Sequence, residues 1–280
     1  MARDGLVSTE WLAARLGEPG IVPLDCSWYL PSANRDAHTE FVEGHIPGAR
    51  YFDLEVHSDP ASSLPHMLPS AQQFAAGMTA LGLRDSDTII VYDNSGVNLS
   101  APRVWWMFRV FGHGGVALLD GGFQKWKAEG RPVESGEPAA RRGDFSARLD
   151  ASRVRSAADM LANISQPREQ MVDARAAGRF EGTSPEPRAG LRSGHIPGAR
   201  NVPYTSLLNS DGTMKPVPEL QELFTAAGLD PSAPTAASCG SGVTACALVH
   251  ALHLLGNDRT AVYDGSWSEW GAARELPVET

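Results

Sequence analysis

The sequence predicts an α/β protein built as two tandem copies of one domain, each a mainly parallel sheet flanked by helices. Three observations carry this expectation. The heptapeptide GHIPGAR occurs at 44–50 and again at 194–200, 150 positions apart. Three further landmarks recur around it in the same order: VPLDCSW at 22–28 with MVDARAA at 171–177, IIVYDNSGV at 89–97 with TAASCGSGV at 235–243, and LDGGFQKW at 119–126 with YDGSWSEW at 263–270. A repeat of that length is a domain, far longer than a solenoid unit. Within each copy, short apolar runs alternate with helical patterns, the mark of βα units on a parallel sheet.

The elements follow in order. IVPLD at 21–25 and MVD at 171–173 read as strands that end in aspartate. IIVYD at 89–93 and PTAAS at 234–238 are later strands. Each feeds a Gly-containing loop and then a helix, over 101–112 and 243–256, with Gly112 and Gly256 as C-caps. The wide apolar face of the first helix assigns Trp105 and Trp106 to a core. VALLD at 116–120 and TAVYD at 260–264 form the next strand. The stretch 131–150 lacks apolar periodicity and is rich in Gly, Pro and charge, so it reads as the interdomain linker. The expected domains are residues 1–138 and 153–280, joined by a linker at 139–152, in a chain of 280 residues that is long enough for two cores.

Net charge is −9 and no Lys/Arg run resembles a nucleic-acid footprint or a membrane-surface patch, which argues against such partners. The N-terminal segment carries charges where a secretory signal needs an apolar core, and no run approaches the ~20 apolar residues of a spanning helix. A cytoplasmic location is therefore expected. The three cysteines, Cys26, Cys239 and Cys246, are too few for a disulfide framework, and no Cys/His cluster has zinc spacing. Reduced thiols, no metal and no cofactor are expected.

Aligning the two SGV tripeptides sets Asp93 opposite Cys239. Cys239 lies directly after an apolar strand and directly before an apolar helix. Gly240 and Gly242 let the backbone curl so that successive N–H groups form an anion nest, to which the helix adds its positive end. Both effects favour thiolate, the nucleophilic form. A buried structural cysteine is the competing reading, and for Cys246, seven residues along the helix amid Ala, Leu and Val, core packing is preferred. A Cys-based phosphatase needs an arginine closing the loop, but 240–249 holds neither Arg nor Lys. An anion nest without fixed cations suits a persulfide formed by sulfur transfer.

The duplicated GHIPGA, the DGGFQKW and DGSWSEW segments, and CGSGVTAC together resemble the tandem rhodanese-type sulfurtransferases, over about 7–277. Thiosulfate-using members carry two basic residues after the cysteine and mercaptopyruvate-using members carry Gly-Ser. Gly240 and Ser241 are similar to the latter. The resemblance implies a two-step transfer from 3-mercaptopyruvate through a Cys239 persulfide, cradled by Gly240, Gly242, Val243 and Thr244, to a thiol acceptor such as thioredoxin or to cyanide. It implies that Arg179 and Arg188 hold the substrate's carboxylate and keto oxygen, work suited to planar guanidinium forks. It also implies a relay of Ser241, His66 and an acid, here Glu55 where the family commonly has Asp, with Asp53 and Asp59 as neighbouring alternatives. Because His66 and Cys239 come from different copies, the site is expected between domains. His45 and His195 recur in both copies and are read as structural. Trp28 and Tyr29 are candidate entrance residues, and Cys26 a buried thiol. A monomer is the simplest assembly. The alternatives are a thiosulfate sulfurtransferase and a catalytically silent binding module.

Overall fold

Each copy forms a five-stranded, all-parallel sheet, in a computed structural model that describes residues 5–280. Residues 1–4, which open the segment weighed above as a targeting signal, lie outside the described residues. The first sheet comprises β1 (Leu6–Val7), β2 (Ile21–Asp25), β3 (Arg50–Tyr51), β4 (Thr88–Tyr92) and β5 (Val116–Leu119), in the order β1-β5-β4-β2-β3. The second comprises β6 (Val154–Arg155), β7 (Gln170–Asp173), β8 (Arg200–Asn201), β9 (Thr235–Ser238) and β10 (Thr260–Tyr263), in the corresponding order β6-β10-β9-β7-β8. The two-residue strands escaped sequence reading because two residues cannot display a period.

Ten α-helices are described, α1 (Thr9–Ala13), α2 (Ala37–Glu43), α3 (Ala71–Ala80), α4 (Ala101–Val110), α5 (Gly122–Ala128), α6 (Ala157–Ser165), α7 (Ala177–Phe180), α8 (Val217–Ala226), α9 (Ala245–Leu254) and α10 (Ser266–Trp270). Helix starts are set locally, as at Ser70 with Gln73 and Ser156 with Asp159, which form capping boxes. Gly112 and Gly256, just past α4 and α9, have φ of 87° and 86°, the left-handed conformation that ends a helix.

The two cores exchange bulk between equivalent positions. In the first, Ile90 and Tyr92 of β4 pack with Leu119, Phe123 and Trp126. In the second, Ala236 replaces Ile90 and Ser238 replaces Tyr92, while Tyr263, Trp267 and Trp270 restore the volume. Close packing demands such compensation, since a void forfeits dispersion contacts. Trp105 and Trp106 are buried as expected. No helix of the described residues is long and apolar enough to cross a membrane.

The chain divides into two compact units. The first holds the described residues up to Pro60, then Pro69–Leu149 and Leu208–Met214. The second holds Ala61–Leu68, Asp150–Leu207 and Lys215–Thr280. Each copy thus contributes one short segment to the unit built mainly from the other, an exchange that boundaries drawn from the repeat alone do not contain. Ala61–Leu68 is tied into unit 2 by the Leu68 amide, which donates to Asp264 at 2.8 Å.

The stretch read as linker is mostly a strap on unit 1. Arg50 donates to the Ala139 carbonyl at 2.5 Å, Arg141 pairs with Asp87 at 2.7 Å, and Asp144 pairs through its backbone with Leu83 and Asp85. Phe145 is buried against Phe74 and Phe108. Its apolar anchor is a single residue, too little to register as a period.

Candidate active site

Cys239 follows β9 directly and is 2% exposed. Its amide donates to Ser266 Oγ at 3.1 Å, and its carbonyl accepts the Trp267 amide at 2.9 Å. Ser266 sits at φ 48°, where a side chain is disfavoured and where the first copy has Gly122. The strain coincides with a hydroxyl that supports the Cys239 backbone, which is where strained residues tend to be retained. After Cys239, Gly242 takes φ 73° and α9 begins at Ala245. Cys246, fully buried, donates its thiol to the Gly242 carbonyl at 3.2 Å.

The first copy shows what this loop is built to hold. There Asp93 takes the cysteine's position, and its carboxylate accepts the amides of Ser95 at 2.9 Å, Ser100 at 2.9 Å and Ala101 at 3.0 Å, the last at the start of α4. It fills its own anion nest. In the second copy, the amide of Ser241, the counterpart of Ser95, finds no acceptor among the described residues, nor do those of Gly240, Val243 and Thr244. The same loop therefore presents amide donors beside a buried thiol.

His66 is 3% exposed and its Nδ1 lies 3.2 Å from Ser241 Oγ, both within unit 2. It adopts φ 60°, a conformation uncommon for a non-glycine residue. Glu55 belongs to unit 1, is exposed, and accepts the Trp28 indole N–H at 2.8 Å. Asp53 accepts the amides of Glu55 and Val56.

Arg179, on α7, lies against the loop, with its Nη2 3.1 Å from the position a Cβ on Gly240 would take. Its Nε and Nη2 both donate to Glu186, at 3.2 and 2.5 Å. Glu186 also accepts from Arg175 at 2.7 Å. Arg175 is fully buried, held by both oxygens of Asp173 and by the Gly194 carbonyl, with its guanidinium 4.2 Å over the Trp267 ring. Burial lowers the Arg175 pKa, but the charges of Asp173 and Glu186 outweigh it and the net shift is upward. Sequence reading missed Glu186 and Arg175; the only signal was their place between motif residues. Arg188 is half-buried, and its guanidinium has no partner among the described residues.

Several other candidates have structural places. His45 and His195 each bond a backbone carbonyl at 2.8 Å and stack on Phe41 and Phe180. His250 is fully buried and His253 pairs with Asp258. Tyr29 donates to Glu40 at 2.6 Å beneath Arg35. Burial, with the charges of Asp25 and Asp93, pushes the Cys26 thiol pKa well up. A cavity of about 450 Å³ in unit 2, lined by Arg168, Met171, Arg200 and Leu229 among others, shares no residue with the Cys239 loop.

With this geometry in hand, the likeness to known proteins is specific. The rhodanese-like domain profile matches residues 8–129 and 156–273. A 3-mercaptopyruvate sulfurtransferase of Rattus norvegicus is 49% identical over 270 residues, covering 95% of this chain and 91% of its own. A thiosulfate sulfurtransferase of Bos taurus is 45% identical over 281 residues, covering 98% and 94%. The crystal structure of SseA from Escherichia coli, described with the 3-mercaptopyruvate sulfotransferases, is 40% identical, superposes with a TM-score of 0.86, and covers 94% of this chain and 99% of its own.

Proposed function

The chain belongs to the tandem rhodanese-type sulfurtransferases, and on that premise we propose that it moves the sulfur of 3-mercaptopyruvate, through a Cys239 persulfide, to a thiol such as thioredoxin or to cyanide. The observation that carries this reading is the loop itself. Its first-copy twin grips a carboxylate with backbone amides, and here the amide of Ser241, like those of Gly240, Val243 and Thr244, has no acceptor among the described residues and lies in a loop that begins with a thiol and carries no cation.

Cys239 thiolate attacks the substrate sulfur. The Sγ–S bond forms, the S–C3 bond breaks, and its electron pair passes into the enolate of pyruvate. Ser241, whose Oγ lies 3.2 Å from His66 Nδ1, delivers in this reading the proton that C3 takes up. Glu55 is the acid we assign to orient His66. Arg179 and Arg188 hold the 2-oxo acid in line, and the amides of Gly240, Gly242, Val243 and Thr244 hold the persulfide. A thiolate acceptor then takes the outer sulfur and restores Cys239. The division of labour follows: residues 1–138 form a non-catalytic domain with Asp93 in the cysteine's place, and 153–280 the catalytic one. The protein acts as a monomer in the cytoplasm, where thiol acceptors are reduced.

The two relatives' names differ in the sulfur donor at 49% and 45% identity, so overall likeness does not choose the donor. The loop does: a thiosulfate dianion calls for cations after the cysteine, and Gly240 and Ser241 supply none. The test is sulfur transfer to cyanide from 3-mercaptopyruvate and from thiosulfate in parallel, with Cys239→Ser as control. A preference for mercaptopyruvate of roughly a hundredfold or more in kcat/KM is expected. Preference for thiosulfate overturns the donor, turnover by Cys239→Ser overturns the nucleophile, and inertness to both donors leaves a binding module.

A further inference from the structure

We infer that Glu186, anchored by Arg175, is a positioning residue that gives the two substrate arginines different tasks. It turns Arg179 toward the Cys239 loop and leaves Arg188 to grip the carboxylate. This rests on the function proposed above and deepens it.

A guanidinium offers five N–H donors, and its Nε/Nη2 edge is a fork that binds a carboxylate side-on. In Arg179 that edge is already taken, by Glu186 at 3.2 and 2.5 Å. A second carboxylate cannot use it. The donors that remain are on Nη1 and the outer side of Nη2, the atom that lies against Gly240. What Arg179 can still offer is therefore directed at the reacting sulfur and the keto oxygen beside it. Arg188 keeps its whole fork for the substrate, since none of its donors has a partner among the described residues.

Glu186 is not free to swing aside. Its Oε1 also accepts Arg175 Nη1 at 2.7 Å, and its side chain is only 3% exposed. Arg175 is fixed in turn at the end of β7 by Asp173 and by the Gly194 carbonyl. Its guanidinium lies over Trp267, whose amide holds the Cys239 carbonyl. A chain of short contacts thus runs from the strand end to both sides of the catalytic loop. Breaking such a buried set by removing one member leaves an uncompensated charge, so its geometry is strongly determined.

The first copy serves as an internal control. It keeps the same aspartate turn, with Ser27 N donating to Asp25 at 2.9 Å as Arg175 N donates to Asp173 at 2.8 Å. Yet it has Ser27 where the second copy has Arg175. The turn does not need the arginine, and the copy with Asp93 in place of the loop cysteine does without it. The Arg175–Glu186–Arg179 series belongs to the copy that carries Cys239.

In the transfer step, negative charge moves from Sγ through the substrate sulfur to the enolate oxygen. A donor held at that oxygen lowers the barrier and hardly alters ground-state binding, whereas the carboxylate grip contributes equally to both. Glu186→Gln should therefore lower kcat about tenfold and move KM less than about twofold, with Glu186→Asp restoring most of the rate, whereas Arg188→Ala should raise KM about tenfold with kcat little changed. Equal effects of Glu186→Gln and Glu186→Asp, or an effect confined to KM, overturn the positioning role.

A second readout needs no donor. Removing the Glu186 charge leaves Arg179 uncompensated beside Cys239, so the ratio of Cys239 alkylation rates by iodoacetate and iodoacetamide should rise about threefold in Glu186→Gln and stay level in Glu186→Asp. An unchanged ratio in Glu186→Gln overturns the inference. Failure of the wild-type chain to use mercaptopyruvate overturns the proposed function instead, and the alkylation ratio still decides whether Glu186 governs Arg179 at the thiol.

Discussion

Asp93 and Cys239 occupy equivalent turns, and the difference between them is chemical rather than architectural. The carboxylate of Asp93 satisfies the amides of Ser95, Ser100 and Ala101 and receives the Ser95 hydroxyl as well. Asp93→Ala leaves those buried donors without an acceptor. Loss of a helix cap costs about 1–2 kcal/mol and each stranded amide adds more, so a loss of roughly 2–4 kcal/mol in urea denaturation is expected, with sulfur transfer little changed. A stability change below about 0.5 kcal/mol, the usual range for a substitution outside such features, means that water serves those amides equally well. Cys239→Ser is the complementary case. Its backbone bonds to Ser266 and Trp267 persist, so the thermal midpoint should hold while turnover disappears.

At the scale of elements, the aspartates that end the first strands of the two copies have opposite surroundings. Asp173 is paired with Arg175, whereas Asp25 has no ion-pair partner among the described residues and lies near Asp93, Tyr92 and Cys26. Burial pushes the Asp25 carboxyl up to about 7, helped by the Asp93 charge and opposed by hydrogen bonds from Ser27. The folded state therefore holds a proton that the unfolded chain has released above about pH 4. That contribution to stability is complete below the unfolded pKa and is lost as pH rises through about 7. Unit 1 should become less resistant to urea between pH 5 and 8, and Asp25→Asn should flatten that dependence. The half-buried His57 works in the opposite sense, because partial burial lowers its pKa, so the difference between wild type and Asp25→Asn is the quantity to follow. A difference that does not vary with pH rules the carboxyl out.

The same elements show what could be read in advance. The central strands declared themselves because burial on both faces demands an unbroken apolar run, as in IVPLD and VALLD. The Cys239 turn was legible because glycine spacing and a following helix are local properties. The ion series through Glu186 and Arg175 was not, because it joins the end of β7 to a proline-rich loop and to α10, and no periodicity links residues on three separate elements. The strap at 139–149 was hidden for a related reason: it is held mostly through its own backbone groups, which any sequence offers.

On the scale of the whole molecule, the exchange of short segments decides what can be cut apart. Unit 2 is incomplete without Ala61–Leu68, which brings His66 to Ser241 and ties Leu68 to Asp264. It also surrenders Leu208–Met214 to unit 1, where the Met214 amide bonds Asp120. A fragment of residues 150–280 keeps Cys239, Arg179, Arg188 and Glu186 but lacks His66. If Ser241 and His66 supply the proton for the departing enolate, the fragment should turn over mercaptopyruvate at least about a hundredfold more slowly than the full chain. Poor folding would produce the same loss, so His66→Asn in the full chain separates the two causes. Asparagine accepts the left-handed conformation that His66 adopts at φ 60°, and the backbone of the segment should be undisturbed. A folded His66→Asn protein with full kcat would remove the relay, leaving Ala61–Leu68 a structural clasp. A fall in kcat with KM and thermal midpoint preserved would tie the rate to a histidine that the repeat assigns to one copy and the fold delivers to the other.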